Sequence, residues 1–178
     1  MIAGMSAGLG PFSFSANDKL LIYGIGNLGR QDDGLAIRLV EMLNQSLSQR
    51  DLRKNIVFES NYQLGIEDAL LISEYDVVLF LDATREKGAI TPFSVRYVET
   101  SAELSFTTHA MSIPNVLSLC EELYGKTPRA YLLAVPGYEW EIAEHLSPQA
   151  DLNLDQAFRS LSLLVKKLPE EVSCTSSR

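Results

Sequence analysis

Residues 20–37 read LLIYGIGNLGRQDDGLAI and carry the densest chemistry in the chain. Gly24, Gly26 and Gly29 fit the spacing G-x-G-x-x-G, and Asp32 and Asp33 follow in the same turn. A dinucleotide cradle needs a helix that starts at the glycines and aims its amides at pyrophosphate. In that reading Glu59, at the end of the second strand, would serve as the ribose acid. Two adjacent carboxylates oppose it, because charge repulsion in a partly dry site amounts to several kcal/mol unless a cation intervenes. A plainer reading makes the glycines a tight turn with positive φ. Asp32 and Asp33 then start a helix, favoured by capping and the helix dipole. Against the plain reading stand other metal-type ligands at the same end of the strands.

The remaining reactive side chains narrow the field. The chain has two histidines, His109 and His145, and two cysteines, Cys120 and Cys174. No Ser/His/Asp or Cys/His nucleophile arrangement is legible, and the H-E-x-x-H pattern of self-contained zinc proteases is absent. Cys120 lies on an apolar helical face and reads as core. His145, inside AEHLSP, reads as a surface or hydrogen-bonded residue. His109 sits between polar threonines and the start of a helix. Asn27 is expected to hold the glycine turn through its side chain. Asp82, ending the third strand in LDA, is either a turn cap or a group that orients a ligand.

Elements that would position these residues alternate along the chain. Short apolar runs predict strands over 19–24, 55–59, 76–81, 93–98 and 129–135. Helical spacing places Ala36, Leu39, Val40, Leu43 and Leu47 on one stripe, and Ile113, Val116, Leu117, Cys120 and Tyr124 on a second. Pro114 suits the first turn of that second helix, and Gly125 suits its exit. Leu154, Ala157, Phe158, Leu161, Leu164, Val165 and Leu168 form the buried side of a last helix, and a shorter helix falls between 64 and 73. This alternation predicts a three-layer α/β/α sandwich with a largely parallel, twisted sheet of about five strands. Ligands of such sheets bind beyond the carboxyl ends of the strands. That rule selects the segments 24–34, 59–68, 82–88 and 136–140, with the loop SFTTHAM reaching the same rim.

Bulk properties bound the partners. The 178 residues fit one domain at 19–168, after a loose leader at 1–18 and before a disordered tail at 169–178. A net charge of −8 argues against nucleic acid, which demands a basic face. It suits a cation or a partner with basic segments. Apolar runs fall far short of the roughly 20 residues of a membrane span. Two cysteines without a disulfide framework point to the cytoplasm.

The segment GIGNLGRQDDGLAIRLVEML resembles the opening motif of the hydrogenase maturation endopeptidases, in which a strand runs into G-[IV]-G-N, a D-[DE]-x-x-G-type segment and a helix. ESNYQLGIEDALLISEYDVVLFLDA and THAMSIPNVLSL resemble the next two family blocks, and all three stand in the family's order. The resemblance covers about 19–168. It implies removal of a C-terminal extension from the precursor of a nickel–iron hydrogenase large subunit after nickel insertion. Nickel supplied by the substrate is then the recognition signal, and no organic cofactor is required. It also implies a nickel-sensing set: Asp33, His109 and a middle acid. Anchored on the strand end, the middle position is Glu59; anchored on the YQLGIE turn, it is Asn61. Asp32 is then supporting, as are Asn27 and Asp82. Ala36 stands where the family often has glycine, and Arg30–Gln31 is an unusual pair there. The alternatives are a dinucleotide-binding module and a non-catalytic binding protein of the same fold.

Overall fold

The computed structural model describes residues 9–48, 55–86, 92–101 and 111–166. Five strands, β1 (Leu20–Ile25), β2 (Ile56–Asn61), β3 (Val77–Thr84), β4 (Ser94–Val98) and β5 (Arg129–Pro136), make one sheet in the order β2-β1-β3-β5-β4. All neighbours pair in parallel except β4, which runs antiparallel to β5 at one edge. The helices are α1 (Leu35–Ser48), α2 (Asp68–Ser73), α3 (Ile113–Tyr124) and α4 (Pro148–Lys166).

Side-chain alternation divides the sheet between two cores. Leu20, Ile22, Leu79 and Leu81 pack with α1 and α4. Leu21, Tyr23, Val78 and Phe80 pack with α2 and α3 on the opposite face. Five of the six β1 residues are buried, as expected for a parallel strand covered on both sides. The three-layer sandwich is therefore the observed architecture.

The stripe expected on α1, from Ala36 to Leu47, is buried throughout. The helix lies so close to β1 that a β-carbon on Gly24 would stand 2.8 Å from the Val40 side chain. Ser112 caps α3 by accepting the Asn115 amide at 3.3 Å, and Gly125 closes it at φ 62°. Tyr124 departs from its expected buried stripe: it is 44% exposed, since a tyrosine at a helix end leaves its hydroxyl in water. Cys120 is a buried core residue whose thiol donates to the Ala69 carbonyl. Burial pushes that thiol up to about 11. Cys174, Leu168 and the tail lie outside the described residues.

Two boundaries differ from expectation. The sequence predicts a loose leader over 1–18, yet Leu9 and Phe12 belong to the core. Phe12 meets Tyr131 edge-on at 5.2 Å between ring centroids. Two large apolar side chains in an uncharged stretch found a place under the sheet edge. Residues 1–8 lie outside the described set. The third strand also runs on to Thr84, so Asp82 sits within β3 and not at a turn.

Replacing the Phe12 ring removes a buried aromatic. The Phe12→Ala variant is expected to lose about 3 kcal/mol in urea unfolding. An unchanged midpoint would return residues 9–18 to a loose leader.

Candidate functional site

The strand order reverses at β1, which pairs with β2 on one side and β3 on the other. A crevice opens outside the carboxyl ends of strands at such a point. The loop leaving β1 fills its rim. The Gly26 amide donates to the Asn61 carbonyl at 3.2 Å, which joins the loop to the end of β2. The Asn27 amide donates to the Asp33 carbonyl at 3.1 Å, and Asn27 Oδ1 accepts the Gly29 amide at 2.9 Å. Gly26 stands at φ 155°, and a β-carbon there would fall on the Asp33 carbonyl oxygen. A residue with a side chain would push Asp33 out of place. The loop then enters a 3-10 turn, Gln31–Gly34, and α1 starts only at Leu35. The glycines therefore do not open the helix directly; Asp32 and Asp33 intervene, contrary to what a dinucleotide cradle needs.

Asp33 is half-buried. Burial raises its carboxyl above the usual range, against the opposing pull of Arg30 and Arg85. Asp82 is pushed up to about 6, by burial first, with the Ala83 amide opposing and the charge of Asp33 adding to the rise. Two carboxylates thus stand within electrostatic reach of each other at one rim. Arg85 lies over the Trp140 ring at 4.2 Å from its centroid, in cation–π range. Neither was singled out by sequence, although both fall in the segments that the strand-end rule selected.

The two options for the middle position are separated by one pleat. Asn61 pairs with Ile25, one step beyond the Gly24–Leu81 pair, so Asn61, Ile25 and Asp82 form a row across β2, β1 and β3. Glu59 pairs with Tyr23 in the row below. Both Glu59 and Asn61 are exposed. The charge of Glu59 is felt at Tyr23 and Tyr75, whereas Asp33 feels Arg30 and Arg85. Asn61 Oδ1 accepts the Tyr62 amide at 2.8 Å.

His109 lies outside the described residues. The nearest described residue, Met111, donates its amide to the Leu64 carbonyl at 3.0 Å. That bond fixes the chain entering α3 against the loop after β2. The same loop is held by Asp68, whose carboxylate accepts the Tyr23 hydroxyl at 2.8 Å and the Gly65 amide at 2.7 Å. Burial, then the Asp68 carboxylate, keeps the Tyr23 hydroxyl protonated well above the ordinary phenol range. Among the described residues, no three His, Cys, Asp or Glu side chains gather as a metal site.

Asp32 does a different job from its neighbour. It is fully buried, and one oxygen accepts the Tyr138 amide at 2.7 Å, the Glu139 amide at 3.0 Å and the Ser147 hydroxyl at 2.6 Å. The other accepts the Ser147 amide at 2.7 Å. Burial alone would raise this carboxyl, but the Ser147 hydroxyl and the three amides hold it below the usual range. Ser147 also accepts the Ala150 amide and so caps α4, with Pro148 at the first helical position. Gln31, in the left-handed region at φ 42°, reinforces the clamp. Its side chain donates to Glu139 at 2.8 Å and accepts the Glu141 amide at 2.8 Å, and its ring-side neighbour is His145 at 3.4 Å. Asp32 was expected to hold the local turn or cap a helix; it holds the 137–147 loop instead.

No protein-family model matches the sequence, and no curated protein matches it significantly. Solved structures do match the fold. The [NiFe] hydrogenase maturation protease HycI of Thermococcus kodakarensis KOD1 superposes with a TM-score of 0.66 at 20% identity, over 84% of this chain and 94% of that one. The hydrogenase maturating endopeptidase HybD of E. coli gives 0.62 at 21% identity, over 83% and 92%. HybD of T. kodakarensis gives 0.61 at 17% identity, over 83% and 99%. The chain has the fold of the hydrogenase maturation proteases.

The two adjacent aspartates are shifted in opposite senses: Asp32 is lowered, whereas Asp33 is raised, as is Asp82. A lowered carboxyl stabilises the fold above its unfolded value near 3.8 and loses that contribution as pH falls through its folded value. The Asp32→Asn variant is therefore expected to lose on the order of 3 kcal/mol at neutral pH and less below pH 3, by chemical unfolding. Asp82 is raised, so its ionisation costs stability as pH climbs from 3.8 to about 6. Asp82→Asn is expected to stabilise the protein by roughly 1–2 kcal/mol at pH 7 and negligibly at pH 3.5. Equal stabilities of Asp82→Asn and the parent across that range would refute the raised proton affinity of the buried Asp82 carboxyl.

Proposed function

We propose that this chain is a nickel-dependent endopeptidase that removes a C-terminal extension from the precursor of a nickel–iron hydrogenase large subunit after metal insertion. The observation that carries the reading is the pair of crowded carboxylates, Asp33 and Asp82, at the switch point of a fold shared with hydrogenase maturation proteases. Two half-buried acids whose proton affinity is raised by burial, with the charge of Asp33 adding to the rise at Asp82, are relieved by a divalent cation, so the donor chemistry fits one. Asp33, His109 and an oxygen donor from Glu59 or Asn61 would engage the nickel of the incoming subunit. When bound, the nickel polarises the scissile carbonyl and lowers the pKa of water.

Asp82 is the neighbouring carboxylate that accepts the proton of the attacking water. Water oxygen bonds to the carbonyl carbon, the C–N bond then breaks, and the proton passes to the leaving nitrogen. The Asp32 clamp holds the wall of the crevice while this happens. In this reading the reaction runs in the cytoplasm, on the low cysteine usage of the sequence.

The test is incubation with nickel-loaded precursor and mass spectrometry of the product. A shortened subunit is expected with the parent protein and none with His109→Ala, whose unfolding midpoint should match the parent. Uncut precursor beside an active control would overturn the reading. Glu59→Gln and Asn61→Ala identify the middle donor: the variant at the ligand position is expected to lose at least 100-fold in rate.

A further inference from the structure

Arg85 follows the last residue of β3 and carries its charge beyond the carboxyl end of the sheet. Its guanidinium carbon lies 4.2 Å from the centroid of the Trp140 ring. The ring has a fitted seat. A β-carbon on Gly137 would stand 2.7 Å from Trp140 Cζ2 and 2.9 Å from Asp32 Cβ, so only glycine lets the indole lie there. The Gly137 amide donates to the Thr84 carbonyl at 2.9 Å, which ties the loop carrying the ring to the residue before Arg85. Asp32 accepts the amides of Tyr138 and Glu139, the next residues toward Trp140. The contact joins two segments that are each anchored by such bonds. The cation therefore has little ordering left to undergo when it meets a ligand.

An aromatic ring stabilises a guanidinium without offering it a lone pair, so the N–H fork stays unspent. Among the described residues, Arg85 makes no ion pair and no hydrogen bond through that fork. Its charge is felt at Asp33, yet the two side chains are not paired. Arg85 is exposed and Trp140 is half-buried, which leaves the fork open to solvent. A planar fork of this kind matches the two oxygens of a carboxylate. Asp33 and the exposed Glu139 and Glu141 on either side of Trp140 oppose a phosphate dianion, whose second charge meets repulsion.

We propose that Arg85, held on Trp140, is a binding site for a single carboxylate. The carboxylate belongs to the peptide that enters the crevice, on a side chain or at its C-terminus; this part alone rests on the endopeptidase reading. Arg85 then determines specificity, because it holds peptides that present a carboxylate and leaves neutral ones without that contact.

Trp140 is the sole tryptophan of the chain, so its fluorescence reports on the site. The probes are short acetylated alanine peptides: one with a glutamate side chain and an amidated end, one with a free terminal carboxylate, and one with neither. The parent is expected to give a saturable change with at least one carboxylate peptide, at a Kd on the order of 1 mM, and none with the neutral peptide. Which carboxylate peptide responds identifies the source. Arg85→Gln is expected to raise that Kd about tenfold, and Arg85→Lys, which keeps the charge and loses the fork, to fall between the two. Arg85 is exposed, so thermal midpoints should match. The responding peptide is also expected to compete with nickel-loaded precursor, raising the apparent KM for cleavage while kcat holds. No saturable response, an equal response to the neutral peptide, or an unchanged Kd in Arg85→Gln overturns the site, and precursor still cut leaves the endopeptidase intact. A carboxylate response beside uncut precursor supports the site and removes the endopeptidase. A carboxylate response beside cleavage that the peptide does not inhibit overturns the assignment of the carboxylate to the cut peptide.

Discussion

The buried carboxylate of Asp32 is the constraint on which the rim depends. A charge removed from water is tolerated only when every lone pair is occupied, and here four donors converge on it. Those donors come from the loop after β5 and from the cap of α4, so one side chain fixes the start of α1 relative to the start of α4. The residue beside it pays no such structural duty. The Asp33 backbone is tied down, its amide to the Arg30 carbonyl and its carbonyl to the Asn27 amide, and its carboxyl is left half-buried at the crevice. Adjacent aspartates with identical chemistry thus serve different ends because their surroundings differ.

Topology supplies the second carboxylate. Parallel pairing of β1 with β3 brings Asp82 to the level of Ile25, beneath the loop that carries Asp33. Burial there opposes an ionised group more strongly than the Ala83 amide favours it, and the raised proton affinity of Asp82 records that conflict. Sites of this kind trade stability for chemistry, whereas the bonds of Asp32 hold the fold together. Arg85, laid over Trp140, adds a fixed cation whose ring support belongs to the loop that Asp32 anchors. One clamp therefore sets the position of one wall and of a charge acting on the site.

Much of the architecture was legible in sequence because it rests on local periodicity. Short apolar runs marked every strand, and the α1 stripe from Ala36 to Leu47 marked its buried face. Strand ends were less legible: β3 continues through Asp82 because its pairing with β5 extends to Thr84, and pairing is not written in the polarity of the strand itself. The burial of Leu9 and Phe12 is not legible for a related reason, since no helical or strand period announces a segment that packs by two side chains alone. The Asp32–Ser147 bond spans 115 residues, and no spacing rule joins DD to the serine before a proline. The rim itself could be foreseen from the strand-end rule, and it did contain Asp33, Asn61, Arg85 and Trp140. The three-residue nickel set came from resemblance, and its histidine lies outside the described residues.

The proposed nickel set requires an imidazole from the segment before α3 to lie beside Asp33 and an oxygen donor of the β2 end. An anomalous-scattering map from crystals soaked in a divalent cation tests it most directly. The account predicts one strong peak at the switch point, within bonding distance of the Asp33 carboxylate and the His109 ring. A map that places His109 at the opposite edge of the sheet, with no peak beside Asp33, would contradict it.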